Sequence, residues 1–235
     1  MGIVELIALS MGLAWASGIN LYAALAMLGI MGATGHMVLP PGLEVLAHPA
    51  VIGAAGFMYC VEFFADKVPG VDTGWDVAHS FIRIPAGAVL AAMALGDVSP
   101  EAQIAAAILG GGLAATSHVL KASTRIVINT SPEPVSNWTA SILEDVAVLG
   151  GLWVALNHPI AFLALLAAFV IFCAWAIPKL WRFTRRLFAR IGRLFGGAAP
   201  EPVAATAGEP ARAASGRLMV APGRAGEIEG PKGTG

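Results

Sequence analysis

The chain has 235 residues, of which 57% are hydrophobic and only 12% are charged, and its net charge is −1. Soluble domains carry about 25% charged residues, and only four of the 14 Lys and Arg residues lie before residue 179. A water-soluble globular fold is therefore excluded, and lipid is the predicted solvent for most of the chain.

Six apolar stretches are long enough, or nearly long enough, to cross a membrane as helices, since about 20 residues span about 30 Å of hydrocarbon. They cover residues 3–32, 47–65, 77–96, 102–120, 139–156 and 159–178. The first stretch is overlong and is expected to tilt. The third contains Pro85, so a broken or re-entrant helix is an alternative there. The predicted fold class is an all-α membrane protein with six transmembrane helices in residues 1–178.

The basic residues outside these stretches fall on one side of the six-span arrangement. Lys67, Lys121 and Arg125 follow the second and fourth spans, and six further cations follow the sixth. Lys and Arg collect in the short cytoplasmic loops of membrane proteins. The distribution therefore predicts a bacterial inner-membrane protein with both termini in the cytoplasm.

The C-terminal part of the chain has a different composition. Residues 179–195 mix aromatic and aliphatic residues with six cations, from Lys179 to Arg193. This pattern predicts an amphipathic juxtamembrane helix that lies on anionic lipid, with a simple stop-transfer anchor as the alternative. Residues 196–235 are rich in Ala, Gly and Pro and are predicted to form a disordered cytoplasmic tail.

Two stretches of the sequence resemble each other. Residues 9–17 (LSMGLAWAS) and 109–117 (LGGGLAATS) agree at five of nine positions. The first and fourth spans would run in opposite directions, which is the pattern of a three-plus-three inverted repeat, a common plan of transporters. Coincidence in a chain so rich in Leu, Ala and Gly is the alternative.

Ionisable residues inside the spans gather near their cytoplasmic ends. Glu62, Arg83, His118 and Glu144 come from four different spans, and a rise of 1.5 Å per residue places them all about 4–12 Å below the boundary. Placing an ionisable side chain inside a membrane costs free energy, so such residues indicate a functional site. The candidate site comprises Asn20, Glu62, Asp66, Lys67, Asp72, Asp76, His79, Arg83, His118, Lys121, Arg125, Asn129, Glu133, Asn137, Glu144 and Asp145.

This polar layer has two interpretations. Its acids and bases roughly balance, so it could be a buried network of salt bridges that locks the helices together. It could instead be a polar vestibule that binds a small solute or an ion, or relays protons. Asn20 is predicted to lie in the middle of the first span, where it either bonds to a neighbouring helix or lines the solute path.

Metal and enzyme chemistry are less well supported. His79 and His118 lie near carboxylates, but no tight ligand motif accompanies them, and neither a metal nor a cofactor is predicted. Asp72 and Asp76 are similar to carboxylate pairs that hold Mg²⁺ on a diphosphate, so an intramembrane lipid-modifying enzyme is an alternative. No basic and aromatic patch typical of nucleic-acid binding is present in the sequence.

The motifs together resemble the domain-of-unknown-function 4126 family of bacterial integral membrane proteins. The resemblance covers about residues 5–180. It is carried by SGINLY (17–22), EFFADKVPGVD (62–72), WDVAH (75–79), IR (82–83), SHVLKA (117–122), NTSPEP (129–134) and ED (144–145). It implies a membrane protein and supports this choice of residues, but it implies no activity.

The function expected from the layered ionisable groups is a small-solute or ion transporter or channel with its polar site on the cytoplasmic side. A structural or lipid-organising membrane protein is the first alternative, and a lipid-modifying enzyme is the second. Besides the bilayer, the expected partners are an unknown solute or ion and a second copy of the chain in a homo-oligomer, because so small a protein often needs a partner to enclose a pathway.

Overall fold

The structure is a computed structural model that describes residues 1–96, 98–130 and 134–194. These residues form helices and contain no strand. The helices are α1 (Ile3–Ala33), a 3₁₀ helix (Pro41–Ala47), α2 (Pro49–Ala65), α3 (Val71–Ala94), α4 (Pro100–Ile128), α5 (Pro134–Asn157) and α6 (Pro159–Leu194). Proline occupies the first position of the 3₁₀ helix and of α2, α4, α5 and α6. An N–H at this position has no partner inside the helix, so proline loses no hydrogen bond there.

Several of these helices suit a membrane. By length and composition, α1, α3, α4, α5 and α6 could each cross the bilayer, and the 3₁₀ helix with α2 could form one further span bent by 70°. The prediction of an all-helical, multi-pass membrane protein is therefore confirmed. Pro85 lies inside α3, and the helix continues past it from Val71 to Ala94.

The helices extend further than the hydropathy pattern predicted, mainly at the end of the bundle where α2 and α4 finish and α3 and α5 begin. We call this the charged end. There, α4 continues to Ile128 and α3 starts at Val71, so that Asp72 lies in its first turn. The charged residues in these turns face other helices and are buried. Polarity therefore does not mark the helix boundaries at this end.

Helix α1 is interrupted at one residue. Asn20 has φ −145° and ψ 92°, which is extended backbone between two helical halves, residues 3–19 and 21–33. The first half runs antiparallel to α3, because the Ser17 hydroxyl donates to the Arg83 carbonyl at 2.7 Å and the Ser10 hydroxyl donates to the Ala91 carbonyl at 2.8 Å.

The second half of α1 turns back instead of continuing. Gly32 contacts Leu39, and Leu39 also lines a cavity together with Met1 and Leu6. In a straight helix of 31 residues the two ends would lie about 45 Å apart. Both ends of α1 therefore lie at the end of the bundle that is opposite to the charged end. Asn20 forms the tip of a re-entrant hairpin that reaches toward the charged end.

The directions of the helices do not support the prediction that both termini lie on one side of the membrane. The first half of α1 runs toward the charged end, and α6 runs parallel to it, because Phe162 packs at Gly12 and Phe169 packs on Trp15. The chain thus starts at the opposite end, and α6 finishes at the charged end. Length and hydropathy cannot distinguish a crossing from a hairpin, because the two differ in the conformation of a single residue.

The packing of α1 on α4 does not support the predicted inverted repeat either. Gly110 of α4 contacts Ala14, and the Ser117 hydroxyl donates to the Trp15 carbonyl at 3.0 Å. The first half of α1 and α4 therefore run parallel, whereas an inverted repeat needs them antiparallel. The two similar segments share small residues because they pack against each other. A Cβ on Gly18 would collide with the backbone of Ala114, which is the close approach that small residues permit.

The predicted boundary at residue 178 does not interrupt the helix, because α6 continues through Pro178 to Leu194. Trp181 and Phe183 are exposed, while Thr184 is buried. The predicted tail, residues 196–235, and Glu133 of the candidate site lie outside the described residues. The division into a membrane domain, a juxtamembrane segment and a tail stays a prediction.

Candidate functional site

Arg83 of α3 is fully buried and bonds to two carboxylates. Its Nη2 lies 2.5 Å from Oε1 of Glu62 on α2, and its Nη1 lies 2.9 Å from Oδ1 of Asp76, two turns earlier on α3. The side chains of Arg83 and Glu62 are both 0% exposed. A buried guanidinium is tolerated only when such partners compensate for its lost hydration.

Lys121 of α4 contacts carboxylates of three other helices. Its Nζ lies 2.9 Å from Oδ2 of Asp66 and 3.3 Å from Oε1 of Glu62, at the end of α2. It also lies 3.4 Å from Oε2 of Glu144 on α5 and 3.7 Å from Oδ1 of Asp76 on α3.

Lys121 also bonds to the hairpin tip. Its Nζ donates to the backbone carbonyl of Ile19, beside the tip of α1, at 3.0 Å. The ammonium group therefore joins all of the helices from α1 to α5.

Arg125 lies one turn further along α4. Its Nη2 is 2.7 Å from Oε2 of Glu144 and 3.3 Å from Oδ2 of Asp66. Its Nη1 donates to the backbone carbonyls of Asp66 and Asn137, at 3.1 and 3.2 Å. Arg125 thus holds the end of α2 against the start of α5.

These ion pairs form one connected group, which we call the charge cluster. Its side chains are at most 4% exposed, apart from that of Glu144 at 17%. The members are Glu62, Asp66, Asp76, Arg83, Lys121, Arg125 and Glu144. Four acids face three bases, so the cluster carries one excess negative charge when every member is ionised.

The break in α1 contributes both of its helix ends to this region. The Asn20 side chain caps the second half, because its Oδ1 accepts the Ala23 N–H at 3.0 Å. Its Nδ2 donates to Oδ1 of Asp145 at 2.8 Å. The first half ends at the Ile19 carbonyl, which accepts from Lys121. The helix dipoles therefore place a cation at a C-terminal end and an anion at an N-terminal end, which is favourable at both.

Asp72 lies beside the charge cluster but bonds to amides. Nδ2 of Asn129 donates to Oδ1 and Oδ2 of Asp72 at 2.8 and 3.0 Å, and Nδ2 of Asn137 donates to Oδ1 of Asn129 at 2.8 Å. Asp72 and Asp76 therefore have different partners, since Asp76 pairs with Arg83. This arrangement does not favour the paired-carboxylate interpretation, and it ties α3, α4 and α5 together.

Two histidines border the charge cluster. Nδ1 of His118 lies 3.4 Å from Nη1 of Arg83, and Nε2 of His118 lies 2.7 Å from the Ser80 hydroxyl. Nδ1 of His79 lies 2.9 Å from the Trp75 carbonyl. Within the described residues, no group of three His, Cys, Asp or Glu side chains could hold a metal ion.

Lys67 is a second buried lysine with a different environment. Its ammonium lies over the Phe63 ring, 2.9 Å from the ring centroid, and donates to the Phe63 carbonyl at 3.1 Å. Burial lowers the pKa of Lys67, because the charged form loses hydration. In the described part of the chain Lys67 makes no ion pair with a carboxylate, so we place it outside the charge cluster.

The charge cluster has unused hydrogen-bonding capacity. Three carboxylate oxygens of the charge cluster are buried and have no hydrogen-bond partner among the described residues, namely Oε2 of Glu62, Oδ1 of Asp66 and Oδ2 of Asp76. The same holds for Nε of Arg83 and Nε of Arg125. Buried polar atoms are normally paired, so each exception needs an explanation. Three free carboxylate oxygens could accept from a further donor.

An apolar groove reaches the edge of this region. It has a volume of about 490 Å³ and lies between the second half of α1, α2 and α5. Tyr59 and Cys60 lie on its α2 side, and the Tyr59 hydroxyl donates to Oδ2 of Asp145 at 3.2 Å. The groove therefore ends at a hydrogen-bonded carboxylate next to the hairpin tip.

The structure brings the described members of the predicted site into one layer. Asn20, predicted to be apart at mid-span, instead contacts Asp145 of this layer. The sequence did not predict three further groups of this layer. They are the Tyr59 hydroxyl, the Tyr22 hydroxyl, which lies 3.2 Å from Nε2 of His79, and the Ile19 carbonyl. The spacing of Tyr59 three residues before Glu62 was the available signal, since it places both on one helix face.

Comparison with known proteins identifies one family. A family model described as a domain of unknown function (DUF4126) matches residues 7–179. No curated protein and no solved structure matches the chain.

Proposed function

We propose that this chain, which belongs to the DUF4126 family, is a proton-linked transporter or channel for a small solute or ion, with the charge cluster as its site. One observation carries the proposal. Four carboxylates and three cations are sealed together inside the bundle, and an uncompensated buried charge is costly. A proton or a small cation that enters the charge cluster balances it.

The re-entrant hairpin supports this proposal. Non-helical backbone at membrane depth is tolerated only where it is buried in protein or lines a cavity, and broken helices mark the substrate sites of many transporters. In this chain the break at Asn20 lies at the charge cluster, and Ile19 and Asn20 both bond to its ionisable groups or their neighbours. A shift of the hairpin tip would open or close access to Lys121.

We further propose that the charged end faces the cytoplasm of a bacterial inner membrane. Lys67 and the basic residues of α6, including Lys179 and Arg182, lie at this end, as the bias of Lys and Arg toward cytoplasmic loops requires. The N-terminus then lies on the periplasmic side. The cations of α6 are placed to attract anionic lipid, and a homo-oligomer would enclose the pathway.

A flux assay tests the proposed function. In proteoliposomes with an internal pH dye, the wild-type protein is expected to dissipate an imposed pH gradient several-fold faster than Glu144→Gln, because Glu144 is the most accessible acid of the charge cluster. Glu44→Gln, an exposed carboxylate of the 3₁₀ helix, is the control and should behave as wild type. Equal rates for empty liposomes, wild type and Glu144→Gln across a panel of solutes would refute transport.

A structural role is the second candidate, and a specific observation favours it. Each of the three cations contacts at least two carboxylates, and most of these side chains are almost completely buried. If the charge cluster only joins helices, Glu144→Gln lowers thermal stability while no variant changes any flux. Measuring both quantities on the same variants separates the two candidates.

A further inference from the structure

We propose that the pocket around Lys121 Nζ is a recognition site for a primary ammonium group, and that the ligand handled at the charge cluster carries such a group. The proposed recognition site is supported by the contacts around Lys121 Nζ, independently of any transport. Only the statement that the ligand is transported rests on the proposed function. In the described state, the side chain of Lys121 occupies the pocket as a tethered substitute for this ligand.

The pocket is built by parts of the protein other than the helix that supplies Lys121. The acceptors nearest to Nζ are Oδ2 of Asp66 at 2.9 Å, the Ile19 carbonyl at 3.0 Å and Oε1 of Glu62 at 3.3 Å. Oε2 of Glu144 follows at 3.4 Å. An ammonium group has three N–H donors, so the pocket offers more acceptors than one ammonium uses.

The Ile19 carbonyl is available because α1 is broken. In a continuous helix the N–H of Ala23 would donate to the Ile19 carbonyl four residues earlier. Here the N–H of Ala23 donates to Oδ1 of Asn20 instead, and the carbonyl accepts from the ammonium of Lys121. The hairpin tip therefore provides a backbone acceptor at the C-terminal, negative end of a helix.

A second, independent observation points to a ligand. Among the described residues, Oε2 of Glu62 and Oδ1 of Asp66 have no hydrogen-bond partner although both side chains are almost fully buried. The two carboxylates that bind the ammonium of Lys121 thus have further capacity to accept hydrogen bonds. Lys67, the other buried lysine, shows that burial of a lysine does not by itself create such a pocket, since it bonds to an aromatic ring and to uncharged oxygens.

The chemistry of the acceptors predicts the selectivity. Methylammonium carries the same charge as the lysine side chain and the same three N–H donors, so it fits the acceptors around Nζ. Tetramethylammonium carries the charge but has no N–H donor and cannot make these bonds. A site that recognises only positive charge would not distinguish between these two ions.

Chemical rescue tests the proposal. Lys121→Ala removes the tethered ammonium and leaves the four buried carboxylates of the charge cluster with only two cations, so the Tm of the full-length variant in detergent should fall by about 10 °C. Methylammonium chloride should restore this Tm saturably, and tetramethylammonium chloride at equal concentration should not. Two controls should show no response to methylammonium. They are the wild-type protein, whose pocket is filled by Lys121, and Lys67→Ala, since Lys67 pairs with no carboxylate among the described residues and bonds only to uncharged oxygens.

The rescue of Lys121→Ala has three outcomes. Rescue by methylammonium alone supports the ammonium site. Absence of rescue overturns the proposal, and so does equal rescue by methylammonium and tetramethylammonium. If Lys121→Ala does not fold alone, it is purified in either salt, and the yield of monodisperse protein replaces Tm. Failure in both salts then overturns the proposal. The readout involves no flux, so rescue together with a negative flux assay would retain the ammonium site while rejecting transport.

Discussion

Arg83 bonds to one carboxylate of its own helix and to one carboxylate of a neighbouring helix. The spacing of Asp76 and Arg83 at i and i+7 places them on one helix face, and they do bond to each other, at 2.9 Å. The partnership of Arg83 with Glu62 joins two helices. No local pattern encodes that pairing, because it depends on how far apart the two helices lie and on how each is rotated.

A double-mutant cycle measures this pair. Glu62→Gln and Arg83→Gln should each lower the free energy of unfolding by about 3–5 kcal/mol, because each leaves a buried charge without its partner. The free energy of unfolding of the double variant should fall by less than the sum of the losses in the two single variants, since the two residues are in contact. Chemical denaturation in detergent provides the measurement, and Glu44→Gln, which is exposed, should be near wild type. Strict additivity would mean that the pair is not coupled.

Asn20 can also be tested at this scale. Asn20→Ala removes the cap of the second half of α1 and one donor to Asp145. Loss of a cap alone costs about 1 kcal/mol, and the unpaired carboxylate adds to that cost. We expect Asn20→Ala to destabilise the protein by about 2–3 kcal/mol. Asn157→Ala, which removes an exposed amide bonded to the Trp153 carbonyl, should have little effect. Equal losses in the two variants would contradict this role of Asn20.

At the scale of the element, α1 depends on glycine for its close packing against α4. A Cβ at position 18 would meet the Ala114 carbonyl and the His118 amide, which are backbone atoms that cannot rotate away. A Cβ at Gly112 of α4 would meet nothing within 4 Å. The two glycines therefore have different roles, although both belong to apolar stretches rich in small residues.

Substitution of these two glycines tests the packing of α1 against α4. Gly18→Ala should destabilise the protein by about 1–3 kcal/mol, or more, because it overpacks a contact between two helices. Gly112→Ala should be neutral, or stabilising by up to about 1 kcal/mol, because alanine is the better helix former. Thermal unfolding in one detergent compares the variants. A neutral Gly18→Ala would show that the tip of α1 does not lie against α4.

At the scale of the whole molecule, the direction of each helix determines which surfaces share a side of the membrane. The turn between α3 and α4 lies at the same end as the N-terminus, because α1 turns back at Asn20. The turn between α2 and α3, which contains Lys67, lies at the other end. Helices α2 to α6 thus run between the two ends of the bundle and α1 forms a hairpin, whereas hydropathy predicted six crossings.

Cysteine labelling tests this topology. In a background with Cys60 and Cys173 replaced by alanine, single cysteines are introduced by Gly2→Cys, Val98→Cys and Val68→Cys. A membrane-impermeant maleimide added to intact spheroplasts should label the first two and should reach the third only after permeabilisation. Labelling of Gly2→Cys and Val68→Cys from one side, with Val98→Cys on the other, would contradict the hairpin.

The sequence by itself determined the solvent, the helical class, the family and the layer of ionisable residues, because each depends on composition or on local spacing along the chain. Only the tertiary structure decided the reversal of α1, the parallel packing of α1 and α4, and the partner of each charge. The reversal results from the φ and ψ angles of one residue, Asn20. The charge pairs depend on contacts between residues far apart in the chain, such as Lys121 and Glu62. Local hydropathy is a sum over neighbours along the chain, and it contains neither kind of information.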